Sequence, residues 1–400
     1  MARRYLLAMA CGAFFATAIV ATICWAIDPL AIYHSPRIEG FDALKPALKT
    51  RSRVFKTVTV ASGDWEAIIV GTSRAETAFN PSHPFFGGKR CFNAALGGQS
   101  YEESLALARA AARGGALRNV VAVLDFEVAN AHYEGPPDFA PDNYRPWRRA
   151  SLAMSLDVLA QAMRTPLRQD REELLRDQAL WLPDGRYAFP PPLAGHRALA
   201  LVSESEYLAV NYFRGPSLQY ALATASSQPM ERVRDLLALA RANDIGLTLV
   251  IAPSHARQWE TIAAAGLWSD WEAWKRRLVT IVDEEARHEG RPAFTIWDFS
   301  GYNEVTTEPF PALDDRKPMR WYYDSSHFTP AAGDRVLDRL SGKADPGFGT
   351  VLTAANIEPH LAVTRSARAR WREEHPIDVA EIELLARDAA SLRRSRQLQP

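Results

Sequence analysis

The chain has 400 residues, a length that fits one large domain or two small ones and can bury a sizeable core without disulfides. Apolar residues make up 47% and charged residues 24%, a balance typical of folded globular proteins, which excludes a largely disordered chain and a protein with many membrane spans. Basic and acidic residues number 47 each, so the chain lacks the basic excess of a nucleic-acid-binding protein and we expect no nucleic-acid partner.

Residues 1–28 predict a membrane anchor. Arg3 and Arg4 precede an uncharged run from residue 5 to residue 27, which is longer than the ~20 apolar residues that cross a bilayer. The alternatives are a cleaved signal peptide and a buried helix of a soluble protein. A cleaved signal peptide normally has an apolar region of about 7–15 residues that ends in small residues. Positive charge stays on the cytoplasmic side. We therefore expect one pass through the inner (cytoplasmic) membrane of a bacterium, with the main domain facing the periplasm or exterior.

Residues 29–64 predict a polar connector, and residues 65–342 predict an α/β domain. Short runs rich in β-branched residues alternate there with helical patterns. The predicted strands are 67–70, 92–96, 120–124, 247–252 and 294–299, and the predicted helices are 101–113, 231–244, 270–289 and 330–340. Continuous apolar strands that alternate with helices are typical of a parallel sheet covered on both faces. We predict a three-layer α/β fold with a parallel five-stranded sheet in flavodoxin-like order.

Two segments lie outside this alternation. Residues 131–230 fall between the third strand and the next helix, and they are too many for a loop. We predict that they form a helical insertion, a cap or lid beside the sheet edge. Residues 343–400 predict a charged helical tail, which either packs on the domain as a solvated helix or binds a partner.

Polar residues follow every predicted strand, at the edge of a parallel sheet where ligands bind. Ser73 follows the first strand and Gly71, and Asp324 and His327 lie close enough in sequence to share one turn. A serine nucleophile needs a neighbouring base. His327 would accept its proton, and Asp324 would hold the imidazole in the required tautomer. The alternatives are that Ser73 only caps a helix and that Asp324 and His327 form a surface turn.

These residues resemble the motifs of the SGNH (GDSL-type) hydrolase superfamily. That family has Gly-x-Ser after the first strand, a glycine after the second, an asparagine after the third and Asp-x-x-His near the C-terminus. Here the matches are Gly71-Thr72-Ser73, then Gly97 or Gly98, and Asp324-Ser325-Ser326-His327. The chain is most similar to the membrane-anchored branch that includes alginate O-acetyltransferase-like proteins and the protein that helps D-alanylate lipoteichoic acid. The resemblance covers residues 65–342 without the insertion.

The resemblance implies an SGNH-like fold and a serine-dependent acyltransferase or acyl esterase. Its substrate would be a glycan or cell-envelope polymer, with an acyl donor supplied through a membrane-bound acyltransferase partner. Ser73 would be the nucleophile, His327 the general base and Asp324 its orienting group. Backbone N–H groups of Ser73 and of Gly97 or Gly98 would stabilise the oxyanion. An ordinary lipase or esterase is a further alternative, and it would have an apolar cleft.

Two positions depart from the family pattern. Thr72 stands where an acidic residue is usual, and the third motif reads Leu124-Asp125-Phe126-Glu127-Val128-Ala129-Asn130, which places Asn130 later than expected. Asn130 remains a candidate oxyanion donor. The altered motif also leaves open a different class of function, a non-catalytic assembly or polysaccharide-binding subunit that keeps the hydrolase fold.

Three further residues are candidates for substrate binding. Asn93 either contacts a ligand or forms hydrogen bonds with backbone groups at a strand end. Arg74 either binds an anionic substrate or pairs with Glu76 or Asp125. His255 either takes part in substrate binding or acyl transfer or is a structural histidine. No histidine or cysteine spacing favours a metal site, and no dinucleotide or phosphate-loop motif is present, so we expect no metal and no cofactor.

Overall fold

A computed structural model describes residues 1–397 apart from 134, 146, 193, 213–219 and 223–227, and it describes side chains up to residue 391. The strands are β1 (Ala67–Val70), β2 (Cys91–Asn93), β3 (Asn119–Leu124), β4 (Gly246–Ile251), β5 (Thr295–Asp298) and β6 (Thr350–Leu352). They form one sheet in the order β2-β1-β3-β4-β5-β6. The first five are parallel in the order of a flavodoxin-like sheet, whereas β6 is antiparallel to β5.

The sheet is therefore mixed and six-stranded, which corrects the prediction of five parallel strands. The α/β class is confirmed. Alternate residues of the central strands enter two separate apolar clusters, as Ile68 and Ile69 of β1 do. Helices cover both faces of the sheet. Burial on both faces explains why these strands appear in the sequence as continuous apolar runs rather than alternating ones.

The helices extend from the N-terminal segment to the C-terminal tail. They are α1 (Ala2–Ile27), α2 (Leu48–Ser62), α3 (Ser73–Ala78), α4 (Tyr101–Ala112), α5 (Arg148–Ala153), α6 (Leu156–Arg164), α7 (Arg171–Arg176), α8 (His196–Glu206), α9 (Gln228–Ala242), α10 (Ala256–Ala264), α11 (Trp268–Glu289), α12 (Pro330–Leu340), α13 (Ile357–Glu374) and α14 (Pro376–Gln397). A π-helical turn, Tyr207–Tyr212, continues α8.

Helix α1 is the one helix in the described part of the chain that is long and apolar enough to cross a membrane. Its side chains are exposed over most of its length, but Cys24 in its last turn is fully buried. The last turns of α1 pack against α5 and α6, which belong to the predicted insertion. Helix α1 and the rest of the described chain are thus in direct contact at this end of the helix.

The segment predicted as a polar connector contains α2, which packs on α4. Lys56 of α2 is fully buried, and its ammonium group forms an ion pair with Glu76 at 2.8 Å. Residues 131–230 contain α5–α8. Helix α8 and the π-helical turn lie over the carboxyl ends of the strands. Helix α14 packs on α8 and α10, so part of the predicted C-terminal tail supports the insertion.

Candidate active site

The turn after β1 holds Ser73 in place. Gly71 adopts φ 149°, and a Cβ atom at this position would lie 2.8 Å from the Cβ of Val123, so the turn requires glycine. Thr72 then donates a hydrogen bond from its hydroxyl to Asp125 at the end of β3. Ser73 is the first residue of α3, with its side chain at the carboxyl edge of the sheet.

A second turn presents His327 to Ser73. Asp324 Oδ1 accepts the backbone N–H groups of Ser326 and His327 at 2.6 Å each. Asp324 Oδ2 lies 2.8 Å from His327 Nδ1, and His327 Nε2 lies 2.8 Å from Ser73 Oγ. Burial alone would raise the pKa of Asp324, but the His327 imidazole and these backbone N–H groups outweigh burial and hold its pKa below the ordinary value. The carboxylate therefore stays charged beside the imidazole.

Two packing contacts set the distance between these turns. Helix α12 begins just after His327 and packs on α3. Gly333 of α12 lies so close to Ala78 of α3 that an added Cβ would be 2.2 Å from the Ala78 carbonyl oxygen. Phe189 stacks on Tyr323, and its ring centroid lies 5.1 Å from that of His327. The insertion therefore helps to hold the histidine.

Arg74 forms a second link between the same two turns. Its Nε donates to Ser326 Oγ at 3.0 Å, beside the Ser73–His327 contact. Its Nη1 lies 2.7 Å from Asp125 Oδ1 and 2.6 Å from Glu127 Oε1. Arg74 is buried, so its contacts match the ion-pair alternative rather than a site for an anionic substrate. Its partners are Asp125 and Glu127, because Glu76 is paired with Lys56.

A cavity of about 380 Å³ opens at Ser73. Its lining residues are Thr72, Ser73, Gly98, Glu127, Tyr133, Gln178, Phe189, Leu199, Val202, Ser203, Glu206, Tyr207, Asn211, Asp324 and His327. Three of these described residues carry carboxylates, and none is lysine or arginine. Burial raises the pKa of Glu127, with Arg74 acting in the opposite direction and Asp125 adding to the rise. One guanidinium faces two carboxylates here, so this wall has an excess of negative charge whenever both carboxylates are ionised.

The two predicted glycines differ in position. Gly98 lines the cavity, and with no side chain it presents backbone to any ligand there. It adopts φ 62°, and its carbonyl accepts a hydrogen bond from Tyr133 at 2.6 Å. Gly97 is outside the described lining, and its carbonyl accepts a hydrogen bond from Arg53. Of the pair, the structure brings Gly98 to Ser73.

Three other predicted residues, Asn93, Asn130 and His255, do not line the described part of the cavity. Asn93 is fully buried and bonds only to backbone, donating to Ala75 and Phe79 and accepting from Ala95. Asn130 is buried, and its side-chain oxygen accepts the N–H groups of His132 and Ala221. Their contacts are those of residues that order loops and strand ends. The candidate oxyanion and ligand roles of Asn93 and Asn130 are therefore not supported by their positions.

His255 does not line the described part of the cavity either, although its backbone N–H donates to the carbonyl of Ser325 at 3.0 Å. It caps α10, where its Nδ1 accepts the N–H of Arg257 at 3.1 Å and its Nε2–H donates to the carbonyl of Glu308 at 2.7 Å. Burial lowers the pKa of His255 to about 3. These contacts match the structural alternative rather than substrate binding.

Several residues that line the cavity or lie beside it were not candidate site residues in the sequence analysis. Glu127 and Ser326 lie inside the third and the last of the sequence motifs, so their positions in those motifs could have predicted that they lie near the site. Tyr133, Phe189 and Tyr207 come from the insertion, where no pattern marks them. Tyr207 contacts both Arg74 Nη2, at 2.9 Å, and Ser326 Oγ, at 2.8 Å.

The described residues contain no group of three histidine, cysteine or acidic side chains that could hold a metal ion. Comparison of the sequence with family models and with curated proteins finds no match.

Proposed function

We propose that the protein is a serine-dependent acyltransferase or acyl esterase. One observation carries the proposal: Ser73 Oγ, His327 and Asp324 form a continuous chain of 2.8 Å contacts at the edge of a cavity. This arrangement has the parts that nucleophilic acyl transfer needs, namely a hydroxyl, a base within hydrogen-bond reach and a third group that orients the base. The resemblance to SGNH hydrolases supports the same assignment.

In the first step Ser73 Oγ attacks the carbonyl carbon of an acyl ester, and His327 Nε2 accepts the hydroxyl proton. Asp324 keeps the ring proton on Nδ1 and stabilises the imidazolium that forms. His327 then passes the proton to the departing alcohol, which leaves an acyl-serine. In the second step water or a sugar hydroxyl loses its proton to His327 and attacks the acyl-serine. The bond between the acyl carbon and Ser73 Oγ then breaks, and His327 returns the proton to Oγ. Water gives an esterase, and a sugar hydroxyl gives a transferase.

Backbone N–H groups are the proposed oxyanion donors. Ser73 is the first residue of α3, a position whose N–H has no partner within the helix. The backbone N–H of Gly98, which lines the cavity, is the second candidate. Asn130 would have supplied a side-chain donor, but its contacts lie in another loop. Loss of one donor typically costs about 10²–10³ in rate, so a two-donor site would be slower than a three-donor one.

The charge of the cavity points to a neutral acyl group such as acetyl. Glu127, Glu206 and Asp324 line it, and the nearest guanidinium, that of Arg74, is already paired with two carboxylates. A negatively charged acyl group would be repelled. We propose that the acceptor is a glycan or cell-envelope polymer, with α1 as the membrane anchor and the domain outside the cytoplasm. The acyl donor would then arrive through a membrane-bound acyltransferase partner.

The position of Asn130 favours a second candidate function. A hydrolase-like fold that lacks a third oxyanion donor would also suit a non-catalytic subunit that binds polysaccharide or assembles an export complex. In that case the cavity would bind a glycan without turning over an ester.

Hydrolysis of a chromogenic acetyl ester by the full chain tests the proposal. We expect Ser73→Ala and His327→Ala to lower kcat/KM by at least about 10³-fold. His360→Ala is a matched control: His360 is as exposed as His327, at 16% against 17%, and it also contacts a buried aspartate, Asp298, but it does not reach Ser73. This variant should keep its activity.

Two further assays complete the test. An anionic succinyl ester should be hydrolysed more slowly than the acetyl ester, and added glycan should divert product from free acetate to an acetylated sugar if the protein is a transferase. Equal activity in all variants would refute the triad. An inert wild type that binds glycan equally well with and without Ser73→Ala would favour the non-catalytic subunit.

A further inference from the structure

The length of α1 places its last turn at the surface of a bilayer. The helix has 26 residues, which is about 39 Å at 1.5 Å per residue, whereas the hydrocarbon core is about 30 Å thick. If the span starts after Arg4, about 20 residues bring it to Cys24. Trp25 is exposed at that level, where aromatic residues are common in membrane proteins.

The rest of the protein contacts α1 at this level, through one buried side chain and hydrogen bonds. Cys24 is fully buried, and its sulfur lies 4.0 Å from the carbonyl oxygen of Ser155, between α5 and α6. Tyr33 donates to the carbonyl of Arg149 in α5 at 2.8 Å. Lys45 donates to the carbonyl of Ile27 at 2.6 Å. Helices α5 and α6 are therefore fixed beside the point where α1 leaves the membrane.

Helix α6 has a second apolar face. Val158 and Ala162 are buried on one side of it. On another side Leu156, Met163 and, just beyond the helix, Leu167 are 73%, 60% and 81% exposed. Leu156 and Met163 lie at positions i and i+7 of α6, with exposed Ala160 at i+4, and so form one stripe, and Leu167 follows it in the 3-10 turn Thr165–Leu167. Two more large apolar side chains, Trp147 and Met154, are each 53% exposed at the two ends of α5.

We propose that this stripe, with Trp147 and Met154, rests on the bilayer and lies in its headgroup region. We call it the juxtamembrane surface. The bilayer is its occupant because α5 and α6, which carry these side chains, pack directly on the last turns of α1. An amphipathic face binds in the plane of the interface through buried apolar area and nearby basic residues, and Arg164 is exposed beside Met163. The proposal rests on α1 crossing the membrane and not on the chemistry of Ser73.

This contact would fix the orientation of the domain. One helix alone lets a domain swing about the exit point, but a second contact with the bilayer removes that freedom. The cavity at Ser73 would then stay at a fixed height and angle above the membrane. That arrangement suits a substrate delivered by a neighbouring membrane protein.

Thiol accessibility of the full chain in nanodiscs tests the proposal. Single cysteines are introduced as Leu156→Cys, Met163→Cys and Leu167→Cys, and the chain is placed at one copy per disc of phosphatidylglycerol and phosphatidylcholine. A polar maleimide that does not enter bilayers labels accessible thiols, and mass spectrometry of peptides separates them from the native cysteines. The control is Val363→Cys on α13, an apolar side chain of similar exposure, 68%, in a helix that packs on α11 and α14.

We expect labelling at residues 156, 163 and 167 to be at least about 10-fold slower than at residue 363. Native Cys11, which is exposed on α1, should remain unlabelled and so report that α1 is inserted. Equal rates at all four introduced cysteines would overturn the proposal, as would rapid labelling of Cys11. Protection that develops only when discs carry two chains would assign the surface to a second copy and would also overturn it.

Discussion

Replacement of Asp324 by asparagine tests the role of His327 most directly, because the structure fixes which way the new amide must point. Asp324 Oδ1 accepts two backbone N–H groups at 2.6 Å, so the asparagine oxygen takes that position. The amide nitrogen then faces His327 Nδ1, where the carboxylate oxygen now lies at 2.8 Å. A donor at that place moves the ring proton to Nε2, and His327 then presents a proton rather than a lone pair to Ser73.

A histidine in this tautomer cannot accept the serine proton. We expect kcat to fall by about 10³–10⁴-fold, the scale seen for the same change in another serine triad, which corresponds to about 4–5.5 kcal/mol at 1.36 kcal/mol per tenfold. The assay is hydrolysis of the acetyl ester by the full chain, with Ser73→Ala as the baseline and thermal unfolding as the check that the variant is folded. A folded Asp324→Asn protein that keeps more than about a tenth of the wild-type kcat would refute this reasoning.

Two predictions concern the scaffold. Since burial lowers the pKa of His255 to about 3, below its unfolded value of about 6.5, the unfolded state binds the extra proton and stability falls as the pH drops below 6.5. Between pH 7 and pH 5 this histidine should cost about 2 kcal/mol of unfolding free energy, and His255→Asn should remove that loss in urea titrations; an unchanged loss in the variant would contradict the assignment. Gly333→Ala should lower the unfolding temperature and kcat, because the new Cβ would lie 2.2 Å from the Ala78 carbonyl oxygen. Helix propensity alone predicts the opposite sign, a gain of about 1 kcal/mol, so a stabilised variant would show that α12 and α3 can separate freely.

The strands that the sequence predicted best are those buried on both faces. Residues 67–70 and 120–124 are apolar throughout because neither face of β1 or β3 meets solvent. Strand β6 was missed because three residues, Thr350–Leu352, give no periodic signal. Helix α2 was missed because polar residues are frequent in its sequence, which therefore resembles a connector. The partners of its buried Lys56, the Glu76 carboxylate and the Ala95 carbonyl, come from other parts of the chain.

The same distinction applies to the site. Ser73, Asp324 and His327 were found because each belongs to a short motif whose chemistry is visible in sequence. Asn130 lies in a motif as well, but a contact with Ala221, far along the chain, decides where its amide points. Local spacing identifies residue types, whereas long-range contacts decide which atoms face the cavity.

The support of α8 by α14 has a consequence for how the protein is made. Leu199, Val202 and Ser203 of α8 form one wall of the cavity. Their neighbour Glu204 accepts hydrogen bonds from Nε and Nη2 of Arg257. The third nitrogen, Nη1, pairs with two carboxylates of α14, those of Asp378 and Glu381. Translation proceeds from the N-terminus, so Ser73 and His327 are synthesised before these carboxylates. A nascent chain in which the triad residues have left the ribosome therefore still lacks the carboxylates that hold Arg257 beside the cavity wall. The cavity is completed only after α14 has also left the ribosome.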